Sequence, residues 1–225
     1  MGFDSEDDMK DVAQDLIPST LRKKDYEVLT EFGYGTGRTD LVFVNVSEPY
    51  WERRTKRLNL ETPIEDKNVL ITFLQLHARD GAVTEEYFYQ IGALKRRYKR
   101  ESLNWLKDRG FVQEEEEGKI KTACDLRRHI TTTVAVELKL RKWQKAIKQA
   151  SRGRSFAEYK FVALDHDHIE PALDNLEQFK SRNIGLLSID QSGDCYMHHK
   201  PGRGNPHSEL YRWKLNESTL IEKSA

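Results

Sequence analysis

The sequence predicts an α/β protein whose chain is interrupted by a smaller helical unit. Segments with the two-residue alternation of strands and the 3.6-residue periodicity of helices occur in the first fifty residues and again after residue 130. Between them, residues 66–122 have the pattern of three helices followed by a short hairpin. A chain of 225 residues is long enough to bury a substantial core in the outer parts and a smaller one in the middle.

Composition and charge favour a cytoplasmic protein with no membrane contact. The chain has 37 basic and 37 acidic residues, but acids crowd the first fifteen positions and basic residues collect later. Its two cysteines, Cys124 and Cys195, suggest no disulfide framework and fit a reducing compartment. No signal-peptide pattern and no apolar run of transmembrane length is present in the sequence.

The first elements are a helix and a hairpin. Residues 5–17 predict a helix with acids in its first turn, and Pro18 is expected to end it. Residues 26–32 and 39–46 predict two strands joined by a glycine-rich turn. Asp40 stands at the start of the second strand, ahead of an apolar run. Taken alone, such an aspartate is most often a turn or strand-edge residue.

Residues 131–150 change from strand to helix periodicity within a few positions. On the strand, alternation places Glu137 and Lys139 on the same face, opposite the apolar positions. The helix that follows has a buried stripe with Gln149 on its border. The stripe consists of Trp143, Ala146, Ile147 and Ala150. A salt bridge on a solvated edge is the simplest interpretation of an isolated Glu-x-Lys.

The order of these elements resembles the core of the PD-(D/E)xK nuclease superfamily, in which a strand with an acid precedes a Glu-x-Lys strand and a helix that often carries Gln. The resemblance covers residues 1–45 and 130–190 and implies the restriction-endonuclease-like fold, a mixed sheet flanked by helices. Compact members have a short connection between the two strands. We therefore expect a discontinuous nuclease-like core, residues 1–48 and 125–225, with residues 62–122 as an inserted domain.

The inserted residues 62–122 resemble a winged helix-turn-helix, in which the third helix enters the major groove of DNA. The third helix carries the basic residues expected to contact DNA, namely Lys95, Arg96, Arg97, Lys99 and Arg100. Four consecutive acids from residue 114 lie in the wing hairpin and would repel phosphate, so the wing is expected to face away from DNA. A protein-interaction role for this domain is the alternative.

The resemblance also implies a metal site. Asp40 and Glu137 would be the carboxylate ligands, with the backbone carbonyl of Leu138 as a third ligand by analogy with the family. An acid of the first helix completes such sites in some members, and Glu6 is a candidate here. Mg²⁺ is the expected cation because it prefers oxygen ligands and needs few of them from the protein, and Mn²⁺ is expected to substitute.

The resemblance implies a Mg²⁺-dependent DNA endonuclease that hydrolyses phosphodiester bonds. Lys139 would orient the attacking water, and Gln149 would help to position phosphate or water. DNA is the expected partner, and a homodimer is plausible because enzymes of this type often cut both strands symmetrically. The main alternative is a DNA-binding regulator or assembly factor with an inactive nuclease-like core. A third hypothesis, a protein-interaction module without a nucleic-acid role, leaves the basic helix unexplained.

Overall fold

The structure is a computed structural model that describes residues 2–21, 25–35, 37–123 and 126–224. Cys124 lies outside the described residues, and Cys195 is a free thiol. The chain divides into two compact units. The sheet unit consists of Met1–Val46 and Ile130–Arg212, and the helical unit consists of Ser47–His129 and Trp213–Ala225.

Helices and strands are numbered in chain order. The strands are β1 Tyr26–Tyr34, β2 Gly37–Val46, β3 Val83–Thr84, β4 Val112–Glu115, β5 Lys119–Thr122, β6 Ile130–Lys139, β7 Tyr159–Asp165, β8 Gly185–Ile189 and β9 Cys195–His199. The helices are α1 Glu6–Thr20, α2 Glu48–Glu52, α3 Lys67–His77, α4 Glu85–Gln90, α5 Arg96–Asp108, α6 Trp143–Ala150, α7 Glu170–Leu173, α8 Leu176–Lys180 and α9 Glu209–Ser224. A π-helical turn, Arg53–Arg57, continues α2.

The sheet unit is built on a six-stranded mixed sheet with the order β1-β2-β6-β7-β8-β9. The three central strands β6, β7 and β8 are parallel, and the outer pairings are antiparallel. Every residue of β8 is buried, as expected for a parallel strand covered on both faces. The prediction of an α/β protein is therefore confirmed, with a mixed sheet flanked by helices.

Each face of this sheet has its own apolar core. On one face, α1 contributes Met9, Ala13 and Ile17, which pack with Leu41 of β2 and Val136 of β6. On the other face, α6 packs its apolar stripe against β7 and β8. Both α1 and α6 contact β6, from opposite faces of the sheet. The side chains of Glu137 and Lys139 at the end of β6 are therefore buried.

Helix α1 extends beyond its predicted end. The prediction that Pro18 ends the helix is wrong, since α1 continues to Thr20. Proline removes one backbone N–H, but the other groups of the last turn are paired. The Leu21 N–H donates to the carbonyl of Ile17 (2.9 Å), and the Thr20 hydroxyl donates to the carbonyl of Leu16 (3.0 Å). Burial of Ile17 in the core anchors this last turn.

The helical unit contains the three helices predicted for the middle of the chain, α3, α4 and α5, and the hairpin β4–β5. The short strand β3 joins the hairpin, which gives a three-stranded antiparallel sheet with the order β3-β5-β4. The acidic hairpin is partly neutralised, because Glu114 forms an ion pair with Lys107 and Glu115 with Lys121.

The end of α9 belongs to the helical unit and completes its core. The rings of Trp213 and Phe73 are 5.2 Å apart, edge to face. The carboxylate of Glu217 forms a bidentate pair with the guanidinium of Arg54, at 2.6 Å for each bond, and both side chains are buried. This division differs from the predicted boundaries, which placed all of residues 125–225 in the nuclease-like core. No helix among the described residues is long and apolar enough to cross a membrane.

Candidate active site

Asp40 and the Glu-x-Lys segment lie together at one end of the sheet. The strands β2 and β6 are antiparallel neighbours, and their backbone pairing extends to Leu41 opposite Val136. Beyond that pair, the side chain of Asp40 replaces the backbone as hydrogen-bond acceptor, since its Oδ2 accepts the N–H of Leu138 at 2.8 Å. The sheet therefore opens at this point, and the Asp40 carboxylate is fixed against β6.

The ammonium group of Lys139 is enclosed by oxygens from three elements. Its Nζ donates to Oε2 of Glu6 on α1 and to the carbonyl of Leu138, both at 2.6 Å, and lies 3.9 Å from Oδ2 of Asp40. Lys139 is only 6 % exposed. The acid predicted to join the site from the first helix, Glu6, thus contacts Lys139 directly.

The Glu137 carboxylate is buried and forms no ion pair at hydrogen-bonding distance among the described residues. The residue is 1 % exposed, and neither carboxylate oxygen has a hydrogen-bond partner of regular geometry among the described residues. Burial, followed by the negative charge of Asp40, raises the pKa of Glu137 to about 8. The neighbouring Thr39 hydroxyl and the positive charge of Lys139 act in the opposite direction. Burying an ionisable group without a partner is costly, so Glu137 is a strong candidate for a functional residue.

Burial also raises the pKa of Asp40, although its bond from the Leu138 N–H and the charge of Lys139 oppose this shift. The negative charges of Glu31 and Glu6 raise it further. A further positive charge close to both Asp40 and Glu137 would favour the ionised form of each. The pair is therefore suited to a hard cation, which prefers carboxylate oxygens.

A divalent cation of the Mg²⁺ type fits these residues better than a cation that needs many protein ligands. The unpaired oxygens of Glu137 and the carboxylate of Asp40 supply two ligand groups, and Mg²⁺ is commonly held by one or two carboxylates with several waters. The part of the chain that the structure describes contains no cluster of three or more His, Cys, Asp or Glu able to hold a metal. The predicted third ligand, the carbonyl of Leu138, accepts the hydrogen bond from Lys139.

Gln149 lies on α6, a helix that packs against both β6 and β7. Its side-chain oxygen is buried and accepts no hydrogen bond among the described residues. The structure gives no hydrogen bond between this oxygen and the ammonium of Lys139, which donates to Glu6 and to the Leu138 carbonyl. The assignment of Gln149 to the site stays a prediction.

The basic residues predicted to contact DNA differ in their exposure. Lys95, Arg96, Arg97 and Arg100 are exposed at the N-terminal half of α5. Lys99 is 0 % exposed, and its assignment to a DNA-contacting surface is wrong. Its ammonium donates to the carbonyls of Phe88 and Ile91 at the end of α4 and lies 4.8 Å from the centre of the Phe88 ring.

The periodicity of a helix explains this correction. Successive residues of α5 point in directions about 100° apart, so a run of basic residues cannot stay on one side. Lys99 falls on the same face as Leu103 and Leu106, which are buried. The exposed basic residues are also partly engaged by acids, since Arg96 pairs with Glu86 at 2.8 Å.

Sequence reasoning did not single out Glu31, which faces Asp40 across the hairpin. Thr30 pairs with Leu41 and Phe32 pairs with Thr39, so the positions between them, Glu31 and Asp40, are opposite each other. Glu31 has a left-handed backbone (φ 57°), an unusual conformation for a non-glycine residue in a strand. Counting back from the glycine-rich turn would have identified this pairing.

The Glu31 carboxylate forms ion pairs with Lys10 on α1 (2.6 Å) and Arg38 on β2 (2.5 Å). Its backbone strain and its negative charge therefore both lie next to Asp40. Strained residues of this kind persist where the surrounding structure compensates for them, and they are frequent at functional sites.

Comparison with known proteins gives no match. No protein-family model, no curated protein and no solved structure matches the chain. What can be stated about the fold is the architecture itself, a six-stranded mixed sheet with helices and a small three-stranded antiparallel sheet.

Proposed function

We propose that this chain is a Mg²⁺-dependent DNA endonuclease of the PD-(D/E)xK type. The observation that carries the proposal is the meeting of Asp40, Glu137 and Lys139 at the end of two neighbouring strands, with the carboxylate of Glu137 buried and not engaged in an ion pair. A purely structural arrangement would pair that carboxylate with the adjacent ammonium. A ligand cation accounts for the arrangement as it is.

In this proposal Asp40 and Glu137 hold the cation, and the carbonyl of Leu138 is a further ligand. A divalent cation held there would neutralise phosphate charge and lower the pKa of a water molecule, which are the two requirements of phosphodiester hydrolysis. The bond from the Leu138 N–H fixes one oxygen of Asp40 and keeps the carboxylate in place before DNA binds.

Lys139 supplies the hydrogen-bond donors of the site. Its ammonium would orient the attacking water and stabilise the negative charge that develops on the phosphate. Glu6 holds the ammonium from the side of α1 and restricts its position. Gln149 would contribute to positioning phosphate or water from α6.

The helical unit would contribute DNA binding as a winged helix-turn-helix. Support comes from the exposed residues Arg97 and Arg100 on α5 and Lys95 directly before it, together with Tyr98, which is also exposed. Lysine and arginine bind phosphates, and an exposed aromatic ring adds contact area. A homodimer would allow cleavage of both strands.

Cleavage of supercoiled plasmid, branched DNA and single-stranded DNA with Mg²⁺, Mn²⁺ or EDTA tests this proposal. We expect metal-dependent cleavage by the wild type and a loss of at least about a hundredfold in Glu137→Gln and Lys139→Met, typical of removing a catalytic group. Glu170→Gln, which removes an exposed carboxylate after β7, is the matched control and should retain activity.

DNA binding is measured separately, by fluorescence anisotropy at several salt concentrations in EDTA. Salt-dependent binding without cleavage by any metal would support the regulator or assembly factor with an inactive core. Absence of both cleavage and binding at low ionic strength would refute the nuclease and the regulator together and leave a protein-interaction role.

A further inference from the structure

The ammonium of Lys139 lies among oxygen atoms of the kind that bind a small cation. It has oxygens of Glu6 and Leu138 at 2.6 Å and an oxygen of Asp40 at 3.9 Å, from α1, β6 and β2 respectively. The three elements belong to the same unit, and Lys139 is almost fully buried. The side chain is therefore a positive charge built into the group of oxygens that would receive the metal.

Two of these oxygens belong to the proposed cation ligands. Mg²⁺ requires its oxygen ligands at roughly 2.0–2.1 Å, and an ammonium already uses the Leu138 carbonyl at 2.6 Å. Both cations bound to one carbonyl would lie within a few ångströms of each other in a poorly solvated site, where like charges repel strongly. While the ammonium is bound to the carbonyl, this repulsion makes the carbonyl a weaker ligand for the divalent cation.

Glu6 offers the ammonium an alternative partner. It lies in the first turn of α1, its side chain is about half exposed, and its Oε2 already accepts a bond from Lys139. If the ammonium leaves the Leu138 carbonyl, this bond keeps it partnered. The charge-assisted bond to Glu6 is among the stronger kinds of hydrogen bond.

We propose that Lys139 and the divalent cation compete for the Leu138 carbonyl, and that Glu6 is the positioning residue that holds the ammonium when the cation binds. This inference rests on the proposed function, because it concerns the same metal site. It makes Lys139 an exchangeable internal cation that compensates Asp40 and Glu137 until the divalent cation replaces it. It also assigns Glu6 to Lys139 and not to the metal.

Mn²⁺ binding in the absence of DNA, measured by isothermal titration calorimetry, tests this without relying on cleavage. Lys139→Met removes the competitor, so we expect Mn²⁺ to bind about ten- to a hundredfold more tightly, the range that a charge-assisted hydrogen bond is worth. Lys139→Gln, which keeps a donor but no charge, is the second variant if Lys139→Met does not fold. We expect tighter binding there too.

Arg152→Gln is the matched control for simple removal of positive charge. Arg152 is exposed and its charge acts on Glu137, but the structure gives it no hydrogen bond to the Leu138 carbonyl. We expect Mn²⁺ affinity to change by less than about threefold in this variant, as for a screened surface charge. An equal gain in Arg152→Gln and Lys139→Met would overturn the competition.

The role of Glu6 is tested by a double-mutant cycle. Glu6→Gln should weaken Mn²⁺ binding when Lys139 is present, because the displaced ammonium loses its charged partner. In the Lys139→Met background the same substitution should have a much smaller effect, because only the negative charge of Glu6 near Asp40 is then lost. An equal loss in both backgrounds would make Glu6 a direct metal ligand and refute the positioning role.

Failure of this inference can be distinguished from failure of the proposed function. Mn²⁺ binding to the wild type that is unchanged in Lys139→Met would refute the competition and leave the nuclease proposal standing. An absence of Mn²⁺ binding in the wild type and in every Lys139 variant would refute both. Mn²⁺ binding that is detected only in the Lys139 variants would support the competition, because it would mean that Lys139 excludes the cation in the wild type.

Discussion

Removing the charge of Glu137 is expected to stabilise this protein at alkaline pH. Burial and the neighbouring charge of Asp40 raise the pKa of Glu137 from 4.5 to about 8. The folded protein therefore binds one more proton than the unfolded chain between these pH values. Stability contributed by that proton is fully present below pH 4.5 and is lost as the pH rises through 8.

The magnitude follows from the size of the shift. Each pKa unit corresponds to about 1.4 kcal/mol, so a rise from 4.5 to about 8 corresponds to roughly 5 kcal/mol of unfolding free energy. Because two buried carboxylates share the site, we expect an observed effect of a few kcal/mol. Glu137→Gln has no such proton to lose, and its advantage over the wild type should be near zero at pH 4.5 and largest at pH 9.

Urea unfolding at pH 4.5, 7 and 9 in EDTA, followed by circular dichroism, measures this difference. The control is Glu170→Gln, which should follow the wild type at every pH because that carboxylate is exposed. Asp40, whose pKa is also raised, should give Glu137→Gln a weaker pH dependence of the same sign. A Glu137→Gln variant that is no more stable than the wild type at pH 9 would refute the description of Glu137 as a buried, unpaired acid.

Five further substitutions, at four positions, test other parts of the structure. Glu217→Gln should destabilise the helical unit by about 3–5 kcal/mol in urea unfolding, because it leaves the buried guanidinium of Arg54 without its carboxylate. Lys99→Met should lower stability by about 1–3 kcal/mol, whereas Arg100→Gln should leave unfolding unchanged and weaken DNA binding with a lower salt dependence. Glu31→Gly should be more stable than Glu31→Ala by about 1 kcal/mol in the same assay, because both lose the carboxylate and only alanine is strained at positive φ.

Much of the sheet unit could be predicted because its signals are local. The change from strand to helix periodicity after Lys139 is visible in the letters, and the observed β6 and α6 follow it. Asp40 could be identified from its place directly ahead of the apolar run of a strand, although β2 itself begins earlier, at Gly37. The position of Asp40 opposite Glu31 follows from the flanking pairs of the hairpin.

The helix α9 shows what local patterns miss. Its buried face includes polar and charged residues, Asn216, Glu217 and Thr219, which hydrophobic periodicity assigns to solvent. Glu217 is buried because Arg54, more than 160 positions earlier in the chain, supplies its partner. Long-range pairs of this kind are invisible in a single sequence. Lys99 illustrates the same difficulty, since its burial depends on carbonyls at the end of another helix.

The residues of the candidate site are not arranged for stability alone. Glu137 and Lys139 share a strand face, and a direct ion pair would satisfy both charges. The structure instead directs the ammonium to Glu6 and the Leu138 carbonyl, and it leaves the buried Glu137 carboxylate without an ion pair at hydrogen-bonding distance among the described residues. It also places the left-handed backbone of Glu31 opposite Asp40.

Each of these features costs free energy, and all of them lie at the end of β2 and β6 where the sheet opens. In a protein selected for folding alone, these destabilising residues would be replaced, because hydrophobic or ion-paired substitutes are readily found. The cation site proposed above would account for their concentration at one place. A divalent cation is the partner that would stabilise both carboxylates at once, since it favours their ionised forms.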